Sequence, residues 1–301
     1  MRVTLRQLQI FRAVAQTGST TAASDDVALS QSATSAAINE LERVLGARLF
    51  DRIGKRLLIN DTGRALLPNA QMLLDGAQSI EDGFESDGNR TTLDLRLAAS
   101  TTIGNYVLPP LLASFRTELP LAHFSLRIGN TQDVANAVTD FEVDLGLIEG
   151  PCHASGVTVL PWREDELVIV AAPRHPLAQA AKHNKLTLKQ LRQVQWLLRE
   201  PGSGTREAAE QALIPHLHHL PADMTLGSSE AIKNALVQGV GVSCLSRYVV
   251  QDLVAAKRLC ILPTKLPRIT RRLALIHHSQ KHLSRALLSF IAHCRTALQE
   301  S

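Results

Sequence analysis

The 301 residues contain no apolar run approaching the roughly 20 needed to cross a bilayer, and the N-terminus has neither the apolar stretch nor the small-residue cleavage site of a secretory signal. These absences lead to the expectation of a cytoplasmic protein with no membrane partner. Cysteine is scarce: Cys152, Cys244, Cys260 and Cys294 are spread over the second half without a CxxC spacing, which excludes a zinc knuckle and a secreted disulfide framework. Enzyme signatures are missing as well. Gly202-Ser203-Gly204 and Gly239-Val240-Gly241 complete no GxSxG, GxGxxG or Walker A sequence, and no serine, histidine and acid set stands out, so no enzymatic activity is expected. His216-Leu217-His218-His219, and His277-His278 with Lys281-His282, have no cysteine or carboxylate at ligand spacing, so neither a metal nor another cofactor is expected. The net charge of +4 permits nucleic-acid binding without demonstrating it.

What the chain does have is an ordered N-terminal pattern. Thr4 and Gln7 are spaced as a capping box, and Leu5, Leu8, Ile10, Phe11, Val14 and Ala15 form an apolar stripe, which predicts a first helix over residues 4–17. Ser19 caps a short second helix carrying the small Ala22-Ala23 pair, and Ala28-Leu29 leads into a turn. A third helix is predicted over residues 30–45, with Ala33, Ala37, Ile38, Leu41 and Leu45 facing inward and Gln31, Ser32, Thr34, Ser35 and Asn39 on its outer face. Short amides and hydroxyls at a helix start suit base edges and phosphates in a major groove. Beyond Gly46, residues 48–52 and 57–59 read as a two-stranded wing. Arg52, Lys55 and Arg56 sit at or near its tip, where cations pair with phosphate or enter a minor groove.

Ala22-Ala23, Ser30-Gln31, Ala33, Ser35, Ile38, Leu41-Glu42, Leu45-Gly46, Leu49-Phe50 and Arg52 stand at the spacing found in LysR-type transcriptional regulators, which this chain resembles over its whole length. Ser32 stands where many members carry proline, although serine is also a favourable helix-start residue. The resemblance implies dimers paired through a linker helix and two dimers joined into a homotetramer through effector domains. That tetramer bends promoter DNA and changes its contact with RNA polymerase when a ligand closes the effector lobes.

After Asn60 and Asp61, a helical pattern places Leu66, Ala70, Leu73, Ala77, Ile80 and Phe84 at alternating four- and three-residue steps. This heptad seam is short and is weakened by Pro68, Gly76 and Gly83, so pairing two chains needs support from the flanking domains. An amphipathic helix packed on its own domain is the alternative. Pairing fits a promoter site with an inverted repeat, because one recognition helix reads only a half-site.

From Thr92 onward short apolar strands alternate with helices, which predicts an α/β region on largely parallel sheets. Residues 127–148 align without gaps on residues 225–246, each reading as strand, glycine, small polar pair, helix and strand. With two looser strand-to-helix turns in residues 95–106 and 196–206, four polar turns precede helices. Two lobes facing across a cleft, as in periplasmic binding proteins, would aim these turns at one ligand, and helix starts favour an anion there. The candidate contacts are Ser100, Thr101 and Thr102 from the first turn, Asn130 and Thr131 from the second, and Ser203, Gly204 and Thr205 from the third. Glu149 ends a strand near the lobe crossover and opposes a highly charged anion unless paired, while Arg199 or Arg206 supplies positive charge. Asp144 reads as a brace. Helix capping is the plain alternative for each hydroxyl.

The expected fold is therefore multidomain: an all-α winged helix-turn-helix DNA-binding domain over 1–60, a linker and dimerisation helix over 61–88, and a two-lobed α/β periplasmic-binding-protein-like effector domain over 89–301. Lobe I covers about 92–162 and 267–301, and lobe II about 163–266. The expected function is a ligand-responsive DNA-binding regulator sensing a compact anion, such as an inorganic oxyanion or small carboxylate. Weighed against it are thiol redox sensing through Cys152, with Cys244 as partner, a free-standing solute-binding protein, and an enzyme.

Overall fold

The computed structural model describes residues 2–54, 56–84 and 94–296. Helix α1 (Leu5–Thr17) begins at Thr4, whose hydroxyl accepts from the Gln7 amide while the Gln7 side chain accepts from the Thr4 amide, a reciprocal cap. Helix α2 (Thr20–Asp26) starts at Ser19, and α3 (Gln31–Leu45) starts at Ser30 and stops at Gly46, where the backbone turns left-handed. Strands β1 (Phe50–Ile53) and β2 (Arg56–Ile59) pair antiparallel as the wing. Helix α4 (Asp61–Phe84) runs unbroken through Pro68. It seats on the base of the wing at Gly63, where a Cβ would lie 2.3 Å from the Leu49 carbonyl oxygen. Leu8, Phe11, Val14, Ile38, Leu41, Leu49, Phe50, Ala70 and Leu74 close this core.

Two expectations about α3 are corrected. Its buried stripe is Thr34, Ile38 and Leu41, whereas Ala33 and Leu45 are exposed. Ile38 and Leu41 face inward as expected, but Thr34 takes the place of Ala33, because Thr34, Ile38 and Leu41 keep the four- and three-residue steps that face α1 and α2.

The second half is built on a seven-stranded sheet. Strand β3 (Asp94–Ser100) leads through a π-helical turn (Ile103–Val107) into α5 (Leu108–Glu118), β4 (His123–Gly129), α6 (Thr131–Thr139) and β5 (Leu145–Glu149). The long β6 (Val157–Ala171) then crosses to a second lobe holding α7 (Pro176–Ala180), α8 (Leu188–Arg192), β7 (Trp196–Arg199), α9 (Gly204–Leu217), β8 (Ala222–Leu226), α10 (Ser229–Val237), β9 (Ser243–Ser246), α11 (Arg247–Ala255) and β10 (Cys260–Ile261). Strand β11 (Ile269–His278) crosses back, and α12 (Arg285–Thr296) packs on the first lobe.

The sheet order is β4-β3-β5-β11-β6-β10, with β9 also on β6 and β7-β8 a separate parallel pair. Strands β3, β4 and β5 are parallel, but β6 and β11 run antiparallel to each other, so the sheet is mixed rather than largely parallel. The physical reason is the crossover, since two neighbouring strands that join two lobes in opposite directions must pair antiparallel. Their register shifts between Leu273 and Ala274, beside Pro161, which has no N–H to offer the ladder. The segments 127–148 and 225–246 do fold alike, as β4-α6-β5 and β8-α10-β9. Phe115, Leu145, Leu147, Leu275 and Phe290 centre the first lobe, and Trp196, Leu198, Leu213 and Val242 the second.

Candidate functional site

The N-terminal face presents Gln31, Ser32 and Asn39 exposed along α3, with Ser35 half-buried. The Gln31 amide donates to the Thr20 hydroxyl at 3.2 Å, so α2 steadies it, and the Ser32 and Ser30 hydroxyls lie 3.0 Å apart. Thr34 is not on this face. It is wholly buried and its hydroxyl donates back to the Ser30 carbonyl at 3.1 Å, which removes it from the expected DNA contacts. Arg52 and Arg56 are exposed on the wing, while Lys55 lies outside the described residues.

The cleft is formed where β3, β5 and β7 end. Glu149, at the end of β5, is buried, and its Oε1 accepts from the amides of Thr102 (2.6 Å) and Ile103 (3.3 Å). These are the free N–H groups that an anion would seek at the first turn, and the chain's own carboxylate occupies them. Glu149 Oε2 accepts from the Thr205 hydroxyl at 2.9 Å and from Arg271 Nη1 at 2.6 Å. Arg271 also donates to Asp165 Oδ2 and to the hydroxyls of Thr102 and Thr205, and Asp165 accepts from Ser246. Burial works against the charge on Glu149, but Arg271, Thr205 and Ser100 and the Thr102 amide outweigh it and hold the carboxyl below its usual range. At Asp165 burial prevails over Arg271 and Ser246, and its carboxyl is pushed up. One guanidinium thus serves two buried carboxylates at the junction of the lobes.

Arg199 ends β7 with only 2% of its surface exposed. Its fork grips the Glu200 carboxylate at 2.7 and 2.8 Å, while its remaining donors reach Ser229 Oγ of the second lobe at 2.9 Å and Thr101 Oγ1 of the first at 3.1 Å. Burial disfavours the Glu200 charge, yet the bonds from Arg199 keep that carboxyl below its ordinary range. Asn130 caps α6 and the amide of Gln132 donates across the cleft to the Gly202 carbonyl at 3.1 Å. On one flank the Tyr106 hydroxyl donates to Glu230, and Lys233 Nζ lies 3.0 Å from the same phenol oxygen. The lobes therefore touch on both sides of Arg199.

The structure brings the expected cleft residues together but divides their work. Ser100, Thr102, Thr131, Glu149, Ser203 and Thr205 are buried with their polar atoms already bonded, Ser100 to the Leu147 carbonyl, Thr131 to the Glu149 carbonyl and Ser203 as cap of α9. Gly204 is a backbone contact: a Cβ there would lie 1.7 Å from the Glu149 carbonyl oxygen. Thr101 and Asn130 are half-buried, whereas Arg199 is as buried as Thr205 and its donors are bonded to Glu200, Ser229 and Thr101. Arg206 is held by Glu210 at 2.8 Å and donates to the Arg199 carbonyl at 3.1 Å, and Asp144 is a brace, accepting from the Arg96 backbone and guanidinium. Ser229, Glu200, Arg271, Asp165 and Tyr106 were not foreseen. Ser229 had a signal, since it opens the helix of the second repeat, but Arg271 had none beyond its alternation with Ile269 and Leu273 along β11.

The redox reading is not favoured, and a Cys152–Cys244 pair least of all. Cys244 is buried in the second lobe and its thiol is pushed up to about 12, chiefly by burial, whereas Cys152 packs against the first lobe beside a groove of about 580 Å³. Among the described residues no three His, Cys, Asp or Glu side chains gather at metal-binding distance, and no helix is long and apolar enough to cross a membrane.

Residues 5–64 match the family model "Bacterial regulatory helix-turn-helix protein, lysR family", and residues 88–299 match "LysR substrate binding domain". The chain is 50% identical over 297 residues to the HTH-type transcriptional regulator YeiE of Escherichia coli (strain K12), covering 99% of each chain. Full-length OxyR from Pseudomonas aeruginosa superposes with a TM-score of 0.80 at 21% identity, covering 100% of this chain and 96% of that one. The regulatory domain of Synechocystis CcmR, solved in complex with 2-PG, gives a TM-score of 0.63 at 29% identity over 69% of this chain and 98% of that one.

Proposed function

The chain belongs to the LysR family of bacterial transcriptional regulators, with an effector-binding domain, and from that premise we propose that it senses a compact anion in the cleft at Arg199. The observation that carries this reading is the Arg199 guanidinium, buried at the carboxyl end of β7 and shared between hydroxyls of both lobes. In open α/β folds ligands lie beyond the carboxyl ends of strands, and a guanidinium fork suits an oxyanion or carboxylate, which here would take the place of the Glu200 carboxylate that the fork holds. Thr101, Asn130 and Arg199 contact the ligand. Ser100, Thr102, Thr131, Glu149, Ser203, Gly204 and Thr205 form the wall behind it and keep the lobes in register. The CcmR regulatory domain, taken in complex with 2-PG, supports a small effector for this fold.

On the DNA side, Gln31, Ser32, Ser35 and Asn39 read bases while Arg52, Lys55 and Arg56 contact phosphate or the minor groove. Residues 61–88 pair two chains, the effector domains join two dimers into a tetramer, and the assembly binds an inverted-repeat promoter site and acts on RNA polymerase. A ligand shifts this system only by its differential affinity for two tetramer shapes.

A thermal-shift series on the full chain tests the cleft against sulfate, sulfite, thiosulfate, phosphate, small carboxylates and amino acids. One anion class is expected to raise the melting point, by about 2.7 kcal/mol of stability at a hundred times its Kd, and Arg199→Met is expected to abolish that rise. A selective rise that survives in Arg199→Met places the ligand elsewhere.

A further inference from the structure

The cleft lies at the carboxyl ends of β3 and β5; a second charged cluster lies at their other ends. Lys281, only 5% exposed at its side chain, sits between Asp75 of α4 (2.9 Å) and Asp144 (3.0 Å), the residue before β5. Asp144 is held by Arg96 of β3, through the backbone amide at 2.9 Å and Nη2 at 2.9 Å, and the Asp144 amide donates to the Arg96 carbonyl. Asp75 is oriented by the buried Gln71, one turn earlier on α4, whose Nε2 donates to it at 2.7 Å. Arg12 of α1 belongs to the same cluster: burial and Arg96 push it below its ordinary value while Asp75 and Asp144 pull it up. Near the start of α4, Arg64 works against the upward push that burial gives the carboxyl of Asp140, the cap at the end of α6.

We propose that Asp75, Lys281 and Asp144 form a latch that docks the linker helix of a chain onto the first lobe of the same chain, fixing the DNA-binding module relative to the effector cleft. A buried ammonium is tolerated only when paired, and Lys281 reaches a carboxylate on each side only when α4 lies against the lobe. The latch and the cleft share β5, which carries Asp144 before its first residue and Glu149 as its last, roughly 17 Å apart along a paired strand. They also share β3, with Arg96 near one end and Ser100 at the other. A movement of the lobes that displaces Glu149 acts on Asp144 through one rigid strand.

Carbodiimide treatment of the full-length protein tests the latch, because it joins a carboxylate to an amine only within ion-pair distance. The activated carboxyl is attacked by the Lys281 amine, an amide forms and the urea leaves. An Asp75–Lys281 amide is expected in the tryptic digest, and in a mixture of 14N- and 15N-labelled chains it joins segments of the same label. Asp75→Asn and Lys281→Met are expected to enlarge the radius of gyration in X-ray scattering to the same extent, with the double variant no larger, while Lys281→Arg keeps the native value. Asp144–Lys281 amide without Asp75–Lys281 amide, a link only between differently labelled chains, or an Asp75→Asn scattering curve superimposing on the native one would each overturn the latch. Should Lys281→Met fail to fold, Asp75→Asn still decides, since it leaves Lys281 paired with Asp144.

Discussion

Arg271 shows how one side chain organises the junction of the lobes. It is fully buried and holds Glu149 and Asp165 together, so replacing it strands two carboxylates in a medium that cannot solvate them. Arg271→Met is expected to lower stability by about 3–5 kcal/mol, read from the denaturation midpoint at unchanged slope. The combination of Arg271→Met with Glu149→Gln and Asp165→Asn should recover much of that loss; no recovery would mean that the arginine acts through packing alone. Thr34 makes the opposite point at the same scale. Its hydroxyl looks like a groove contact in the sequence, but a threonine is small enough to enter the core once its hydroxyl bonds the carbonyl four residues back.

At the scale of elements, α4 serves two masters along one stripe. Ala70 is wholly buried in the winged-helix core, whereas Leu73 and Ile80 are 49% and 64% exposed on the same heptad face and Ala77 is half-buried between them; the side chain of Phe84 lies outside the described residues. The heptad spacing lies along this one helix, and packing buries Ala70 within the chain while leaving Leu73 and Ile80 exposed. Leu73→Glu with Ile80→Glu is expected to reduce the assembly to smaller species in sedimentation velocity while leaving helix content unchanged, because two charges on a short seam cannot be buried. An unaltered sedimentation coefficient would remove α4 from the dimer. The π-helical turn after β3 is an element the sequence did not announce; its segment places Tyr106 against Glu230 and Lys233 of the other lobe.

For the whole molecule, the buried acids set the pH response. Glu149, Glu200 and Asp144 are each held below their ordinary range by arginine or lysine partners that outweigh burial, so the stability they contribute is fully present above about pH 4.5 and is lost as pH falls through their folded values. Asp165, whose carboxyl is raised, works the other way: its folded form favours the proton, and its contribution is lost as pH rises through its folded value. Glu149 and Glu200 at the cleft and Asp144 at the far end of β5, all lowered, outnumber the raised Asp165 and Asp140 and predict a net loss below about pH 4.5. Urea titrations between pH 6 and 3 should show it, with a shallower acid limb in Glu149→Gln. An identical limb in that variant would show that Glu149 contributes nothing to the acid response.

Caps, stripes and turn residues are local, and for that reason the sequence alone determined the three-helix unit with its wing, the heptad pattern, the paired β-α-β segments and the polar turns that converge on the cleft. Thr4, Ser19, Ser30, Asn130 and Ser203 cap helices where their spacing places them. Only the tertiary structure decided which polar groups are already satisfied. Glu149 and Arg271 are 122 residues apart, as are their meanings in the sequence: an acid at a strand end and an arginine inside another strand. Nothing local couples them, and it takes the antiparallel pairing of β11 with β5 to bring the pair to the helix start where an outside anion was expected. The same holds for Lys281, whose partners Asp75 and Asp144 belong to a helix and a loop that only folding sets side by side.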